Sequence, residues 1–510
     1  MTEPASFAVD PSDLPKLRAV LSKLADAGYT ESSVRERLGL EDLTDLQWRS
    51  LPMYRSERLA SRDPLALAID LFLLQGTLPT NELDRLFTPS ERDVLFRTGL
   101  LAINKDTNDA TNLARVRASL FPVGDRLIFS DHAWPELPHP GYATVPRDHV
   151  MAIGSDSRRL ARCTTRRPFR AALDLCTGSG IHALLASHHA SQVLAVDINP
   201  RAARCTRFNA LASGTTNLEV VLADLYDPVR GQRFDLITAN PPFVPSPLDA
   251  LRFRDGGRTG EDIQKRIVAG LPHHLAPDGI AQMVTELGER DGEPLVHRLR
   301  EWLGGAPMDI YLLRLGEHTA AQYASAHAKG DNYQAVLDST AEWATNLREQ
   351  GYQRIVSLVI SFQWSDASCC GPWERVDQSP SPHRAAAAEI DSAFLAERLT
   401  RRPDWERVLK PSRLRRAGPI ALFDARVLGG DVRAVAKATL MGQALTIEHQ
   451  IDPVEREMLG RFDGDASIPV SDIVAMFRDL AVDEPTVLAA ARSLLRRGLL
   501  RSDGQKCMYR

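Results

Sequence analysis

A short apolar run, Ala171-Ala172-Leu173-Asp174-Leu175, passes directly into Cys176-Thr177-Gly178-Ser179-Gly180 and then into a helical pattern from Ile181 to Ala190. A strand, a glycine turn and a helix in immediate succession build the nucleotide-binding unit of open α/β sheets. Small residues there let the backbone approach a ligand at the helix N-terminus. The next apolar run, Gln192-Val193-Leu194-Ala195-Val196, ends at Asp197, a carboxylate placed to accept both hydroxyls of a ribose. A third, Leu218 to Leu222, ends at Ala223-Asp224-Leu225, where Asp224 is placed to accept from an adenine amino group. Each sign is weak alone, since glycine loops are common and an Asp after a strand often caps a helix. In this order, each at a strand's carboxyl end, they predict a parallel sheet with a ligand crevice along that edge.

A fourth strand end is the most telling for chemistry. Phe234-Asp235-Leu236-Ile237-Thr238-Ala239 reads as a buried strand, and Asn240-Pro241-Pro242-Phe243 follows it. The rigid Pro-Pro turn fixes Asn240 and Phe243 at the crevice. The Asn240 side-chain oxygen and the Asn240 or Pro241 carbonyl can accept N–H bonds from an amide or exocyclic amine, with Phe243 stacked on its plane.

Asp174 to Phe243 resembles the core of class I S-adenosylmethionine-dependent methyltransferases, in the branch whose fourth motif is NPPF or NPPY. That branch includes release-factor glutamine methyltransferases and amino-methyltransferases of ribosomal RNA and DNA. Arg254-Asp255-Gly256-Gly257-Arg258-Thr259-Gly260, a helix to Leu275 and Pro277-Asp278-Gly279 resemble the release-factor enzymes further, as does Val145-Pro146-Arg147, the segment those enzymes lay over the cofactor. The resemblance runs from Val145 to Glu286, under a third of the chain. It implies a Rossmann-like, seven-stranded α/β domain and S-adenosyl-L-methionine as cofactor. The expected cofactor-binding residues are Asp174, Cys176, Thr177, Gly178, Gly180, Asp197, Ile198, Asp224, Leu225 and Asn240. The expected catalytic residues are Asn240, Pro241 and Phe243. Cys176 stands where the family has the first glycine of its loop, which bears on how closely the backbone approaches the cofactor.

The 510-residue chain is long enough for three or four domains, and 44% hydrophobic with 25% charged residues is ordinary globular composition. No apolar run is long enough to span a membrane, Met1-Thr2-Glu3-Pro4 does not read as a signal peptide, and the expectation is a cytoplasmic protein. The six cysteines lack metal-ligand spacing and fit a reducing compartment; the vicinal Cys369-Cys370 and the pairs His188-His189 and His273-His274 read as packing or surface residues, so no metal site is expected. A net charge of −4 argues against a nonspecific nucleic-acid binder but permits a local basic face. Three arginine-rich clusters qualify: Arg158, Arg159, Arg162, Arg166, Arg167 and Arg170; Arg398, Arg401, Arg402, Lys410, Arg413, Arg415 and Arg416; and Arg492, Arg496, Arg497 and Arg501. Each reads equally as solvated surface.

Two flanking stretches echo one another. Pro64 to Leu74, Pro79 to Phe87 and Ser90 to Thr98 form three short helical patterns closed by Gly99-Leu100-Leu101; Pro453 to Phe462, Val470 to Leu480 and Glu484 to Arg497 repeat the order and close with Gly498-Leu499-Leu500. This order suggests winged helix-turn-helix units. Leu120–Val123 and Arg126–Phe129 are the expected wing hairpin of the first, and Arg501 to Arg510 a truncated wing of the second. Such units bind nucleic acid or dock proteins. The expected domains are a helical segment 1–60, a winged-helix-like domain 61–130, the catalytic domain 131–375, a linker with an unassigned α+β segment 376–450, and a C-terminal winged-helix-like domain 451–510. Ala306 to Leu315 and Arg354 to Phe362 supply the last two strands of the catalytic sheet, around a helical insertion.

The sequence therefore predicts an N-methyltransferase acting on a planar nitrogen of a macromolecule. A base in RNA or DNA is favoured by the flanking units and arginines. The alternative is a protein glutamine, favoured by the Asp255-Gly256-Gly257 neighbourhood. A non-catalytic nucleic-acid-binding regulator is less consistent with intact Asp197 and Asn240.

Overall fold

The computed structural model describes residues 5–104, 113–132, 145–248, 251–379, 386–426, 434–440 and 448–503. The chain divides into two compact units: residues 1–161, 166–304 and 318–356 form the first, and 162–165, 305–317 and 357–510 the second.

The first unit begins with helices α1 (Leu14–Asp26), α2 (Glu31–Leu38), α3 (Leu51–Met53) and α4 (Pro64–Ala68). Strand β1 (Thr77–Pro79), helices α5 (Thr80–Leu86) and α6 (Pro89–Arg97), and strands β2 (Leu101–Asn104) and β3 (Leu113–Val116) follow. The strands pair antiparallel in the order β1-β3-β2, which is the helix–strand–helix–helix–strand–strand order of a winged helix. The expected hairpin is present as β4 (Ser119–Val123) and β5 (Arg126–Ser130), with Leu120 opposite Phe129, but it is a separate two-stranded sheet. It is no wing, because β4 is buried along its whole length and β5 is tied to a later helix. Tyr29 Oη donates to the Leu120 carbonyl at 2.6 Å, and Asn209 both accepts from Phe129 N and donates to Phe129 O.

Helix α7 (Ser155–Cys163) leads into the catalytic segment: β6 (Phe169–Leu175), α8 (Ile181–Ala186), β7 (Ala190–Asp197), α9 (Pro200–Ala212), β8 (Leu218–Leu222), β9 (Phe234–Ala239), α10 (Asp262–His274) and β10 (Leu275–Glu289). These five strands pair in parallel in the order β10-β9-β6-β7-β8. The order reverses between β6 and β9, so the ends of those strands open a crevice where ligands bind in doubly wound folds. Residues 5–129 share one apolar core with α8 and α9, through Phe7, Phe72, Phe129 and Phe208. Helix α11 (Leu295–Trp302) precedes β11 (Met308–Thr319); α12 (Ala320–His327) and α13 (Tyr333–Glu349) are the expected helical insertion before β12 (Arg354–Trp364).

The second unit holds most of β11 and β12 with β13 (Glu374–Gln378), β11 lying between the other two and parallel to β13. Asp377, expected at the start of a linker, lies in that strand, accepting from Tyr311 Oη at 2.7 Å. Helices α14 (Ala387–Thr400) and α15 (Trp405–Leu409) lead to β14 (Arg413–Arg416) and an antiparallel meander of β15 (Ile420–Arg426), β16 (Ala434–Leu440) and β17 (Glu448–Ile451). This meander falls in the unassigned α+β segment, with residues 441–447 between β16 and β17 outside those described. Then come α16 (Pro453–Gly460), β18 (Ile468–Pro469), α17 (Val470–Arg478), α18 (Glu484–Arg496) and β19 (Leu500–Ser502). The truncated wing expected over Arg501 to Arg510 lies almost wholly outside the described residues. The central strand of this second winged-helix-like group is β14, antiparallel to both β18 and β19.

Within each unit several members of the arginine clusters have partners, although many remain partly exposed. Arg158 is buried against Asp42 and Glu31, Arg166 donates to the Ala161 carbonyl, and Arg167 to that of Asp278. In the second unit Arg402 pairs with Asp404, Lys410 with Glu484 and Arg415 with Asp503. On α18, expected to present arginines to phosphate, Arg492 lies 4.5 Å above the Trp405 ring, Arg496 faces Glu397 and Arg497 reaches Glu455; Arg501 of β19 pairs with Glu389.

Candidate active site

The turn after β6 takes a backbone that ordinary residues avoid. Cys176, Gly178 and Gly180 all have positive φ, at 56°, 58° and 85°. A Cβ on Gly180 would meet Thr206 Cγ2 at 2.7 Å, so packing as well as φ demands glycine there. Cys176 accepts the left-handed conformation in place of a glycine, and burial pushes its thiol well above the usual range. Asp174 organises this turn from beneath. Its buried carboxylate accepts from Thr177 Oγ1 at 2.6 Å, Thr238 Oγ1 at 2.8 Å and Ala183 N at 3.2 Å. Burial pushes its pKa up to about 7, the three donors partly opposing.

Asp197 ends β7. One carboxylate oxygen accepts from Gly178 N at 2.9 Å and the other from Asn199 N at 2.8 Å, leaving each oxygen further acceptor capacity. Burial raises its pKa, while those N–H groups and the Arg252 charge hold it down. Asp224, after β8, receives the Arg266 guanidinium at 2.8 Å on one oxygen. After β9, the Asn240 amide nitrogen donates to Ser157 Oγ of α7 at 3.1 Å.

Two loops wall the crevice. Asn199 Nδ2 donates to the Asp148 carbonyl, and Asp131, held by Arg201 at 2.5 and 2.8 Å, accepts from Val150 N. These bonds lay Arg147 to Met151 along the cavity, as expected for the segment around Val145-Pro146-Arg147. The Arg254–Gly260 loop packs on the Asn-Pro-Pro-Phe turn: Gly256 N donates to Val244 O, Ser246 N to Gly257 O, and a Cβ at Gly260 would meet Phe243 O at 2.5 Å.

The cavity measures about 320 Å³. Of the expected residues, Cys176, Thr177, Gly178, Asp197, Ile198, Asp224, Leu225 and Asn240 line it. Asp174, Gly180, Pro241 and Phe243 do not. Asp174 and Gly180 shape the turn from behind it, Pro241 is buried, and Phe243 packs on Val244, Trp343 and Tyr352. The aromatic ring in the wall is Phe253, 5.3 Å from the His149 ring. Sequence reasoning passed over Phe253, His149, Arg252, Arg266, Ser157 and His182. His182 also lines the cavity; burial lowers its pKa to about 3, so it is neutral, and its Nε2 has no hydrogen-bond partner among the described residues.

Residues 152–299 match the family described as Methyltransferase small domain. They form a class I methyltransferase domain of the NPPF type. Residues 26–111 match a domain of unknown function, DUF7059. The methyltransferase domain is similar to the ribosomal protein uL3 glutamine methyltransferase of Bradyrhizobium diazoefficiens, at 38% identity over 23% of this chain and 40% of that protein. It is similar to the release factor glutamine methyltransferase of Geobacter sulfurreducens, at 31% over 30% and 55%, and to the tRNA1(Val) (adenine(37)-N6)-methyltransferase of Porphyromonas gingivalis, at 32% over 27% and 59%. The chain thus spans about half the length of these relatives. Class I methyltransferase domains use S-adenosylmethionine in general. The site fits that group: a carboxylate with spare acceptor capacity, the positive-φ Cys176 and Gly178 and the apolar Ile198 and Leu225 line one cavity. Among the described residues no helix is long and apolar enough to cross a membrane, and no three His, Cys, Asp or Glu side chains gather to hold a metal.

Proposed function

We propose that this protein transfers a methyl group from S-adenosylmethionine to a planar nitrogen of a macromolecule. The observation that carries the reading is Asn240. Its amide nitrogen is occupied by Ser157, so its side-chain oxygen is the atom left to accept an N–H at the cavity wall. In the bound state Asp197 would hold the ribose hydroxyls, Ile198 and Leu225 would flank the adenine, and the oxygen of Asp224 not taken by Arg266 would accept from its amino group. The cofactor supplies a methyl group already activated on a sulfonium.

The chain's own work is positioning. An amide or aromatic amine delocalises its nitrogen lone pair. Accepting its N–H groups on Asn240 Oδ1 and the Asn240 or Pro241 carbonyl turns that lone pair toward the methyl group and stabilises the positive charge that grows on nitrogen. The proton becomes acidic only as the methyl arrives, so no strong base is required.

A glutamine side chain is the substrate we favour. The arginines that would track a phosphate backbone are spent on Glu397, Glu455 and Glu389 within their own unit, and two of the three relatives above are named as glutamine methyltransferases. A base amine is the second reading, supported by the two winged-helix-like groups and the tRNA-adenine relative. We read residues 61–130 and 451–510 as docking modules around a catalytic domain at 131–375, acting in the cytoplasm. The test is transfer of tritium from methyl-labelled S-adenosylmethionine to total ribosomal protein, release factors and total RNA. Label in methylglutamine supports the favoured reading and label in RNA the second. Asn240→Ala is expected to cut either by at least about a hundredfold. No transfer to any pool, or full transfer by that variant, refutes the function.

A further inference from the structure

The helix that touches Asn240 is held by the part of the chain to which no function attaches. Ser157 and Arg158 are neighbours on the first turns of α7 and both are buried. Ser157 faces Asn240. Arg158 faces the N-terminal segment: its Nε lies 3.1 Å from Asp42, whose side chain is fully buried, and another guanidinium nitrogen pairs with Glu31. The Phe121 ring lies under the guanidinium at 5.8 Å. Neither carboxylate is on a loose element. Glu31 opens α2 behind the Thr30 cap, and its second oxygen accepts from Gly124 N at 2.7 Å. Asp42 caps the turn Leu43–Asp45, accepting from Thr44 N at 2.8 Å.

We propose that the segment bearing Glu31 and Asp42 acts as a positioning element for methyl transfer, setting the amide plane of Asn240 through Arg158 and Ser157. The proposal rests on the acceptor role of Asn240 given above. A side-chain amide turns readily about its last torsion, and only one plane presents Oδ1 to an incoming N–H. The Ser157 hydroxyl fixes that plane, and the bond the amide N–H donates to it strengthens the oxygen as an acceptor. Ser157 can do so only if α7 keeps its rotation and height. A buried guanidinium held between two carboxylates is a directional anchor for both. Glu31 and Asp42, neither of which lines the cavity, then contribute to turnover from outside it.

The test uses the full chain with S-adenosylhomocysteine bound and asparagine side chains labelled with ¹⁵N. Asn240→Ala identifies the Asn240 amide signals by their loss. Ser157→Ala should shift and broaden those signals, leave S-adenosylhomocysteine affinity within about threefold, and lower kcat on the labelled pool by at least about tenfold with KM little changed. Ser157→Thr, which keeps the hydroxyl, should recover most of the rate. Glu31→Gln and Asp42→Asn should move the same signals and lower kcat in the same sense; if the buried Asp42 variant does not fold, the half-exposed Glu31 carries this arm. Unchanged Asn240 signals in Ser157→Ala, or in a folded Glu31→Gln, overturn the proposal. If Asn240→Ala itself turns over at the wild-type rate, the acceptor reading is at fault instead, and the amide signals still report on the anchor.

Discussion

Asp197 offers the sharpest test of the cofactor site, because its surroundings allow the loss to be worked out. Each carboxylate oxygen already accepts one main-chain N–H, from Gly178 and Asn199, and keeps room for one ribose hydroxyl. A hydrogen bond to a charged group is worth about 1.5–3 kcal/mol. Asp197→Ala removes two such bonds to the ligand, and water entering the gap restores part of them. The net loss is about 2–3 kcal/mol, or roughly 30- to 150-fold in Kd for S-adenosylmethionine. The same change leaves two buried N–H groups unpaired, so the unliganded protein should also melt lower. Calorimetry must therefore be run well below the melting temperature of the variant. The pH dependence has a definite sign. Burial raises the Asp197 pKa, and the ribose hydroxyls bind the ionised form, so wild-type affinity should fall as pH is lowered through that raised value. Asp197→Asn should be weak and flat over the same range. A Kd within threefold of wild type in Asp197→Ala, in protein that is folded at the assay temperature, refutes this placement of the ribose.

Asp174 has a folded pKa of about 7 against 3.8 unfolded, so the contribution of this group to stability should be full below pH 3.8 and lost as pH rises through 7; melting curves of wild type and Asp174→Asn should diverge in slope over that window, and parallel curves would sink the assignment. Cys176, its thiol pushed well above 9, should resist iodoacetamide at pH 8 while the exposed Cys370 reacts, which peptide mass mapping would decide. Arg497→Gln removes the charge partner of the buried Glu455 carboxylate, leaving it only the Asp452 N–H among the described residues, and should cost about 1–3 kcal/mol in denaturant melts. If it instead left stability untouched and abolished RNA binding, the nucleic-acid reading of α18 would return.

The crevice was legible because its residues sit within a few positions of strand ends, and strand ends are marked by local punctuation. Asp197, Asp224 and Asn240 lie where that logic puts them. Roles within the crevice were less legible. Asp174 stands one residue before a strand's end, which turns its side chain under the turn rather than into the cavity. Phe243 is claimed by Trp343 and Tyr352, a hundred positions on, and no local pattern announces that. Ser157 carried no signal, being an ordinary helical serine until α7 is placed against β9. The arginine clusters misled for the same reason. Arg158 looks like a surface charge in the sequence, and its partners Glu31 and Asp42 are more than a hundred residues away. The wing of the first flanking group was misplaced because the four-residue strands β2 and β3 have almost no periodicity to read.

The strand β14 emerges from synthesis long before β18 and β19, the two segments that flank it. Until β18 and then β19 arrive, its edges carry unpaired N–H and C=O groups, the template on which chains aggregate. Three of its four residues are arginine. In the finished fold these charges bind Ser467, Asp503 and Gly464; in the nascent chain they repel an identical strand from a neighbouring copy. A chain that stops at Gln450 keeps β14 and loses both partners, leaving only the three arginines to oppose edge pairing, so single substitutions on α18 are the sounder way to ask what that group binds.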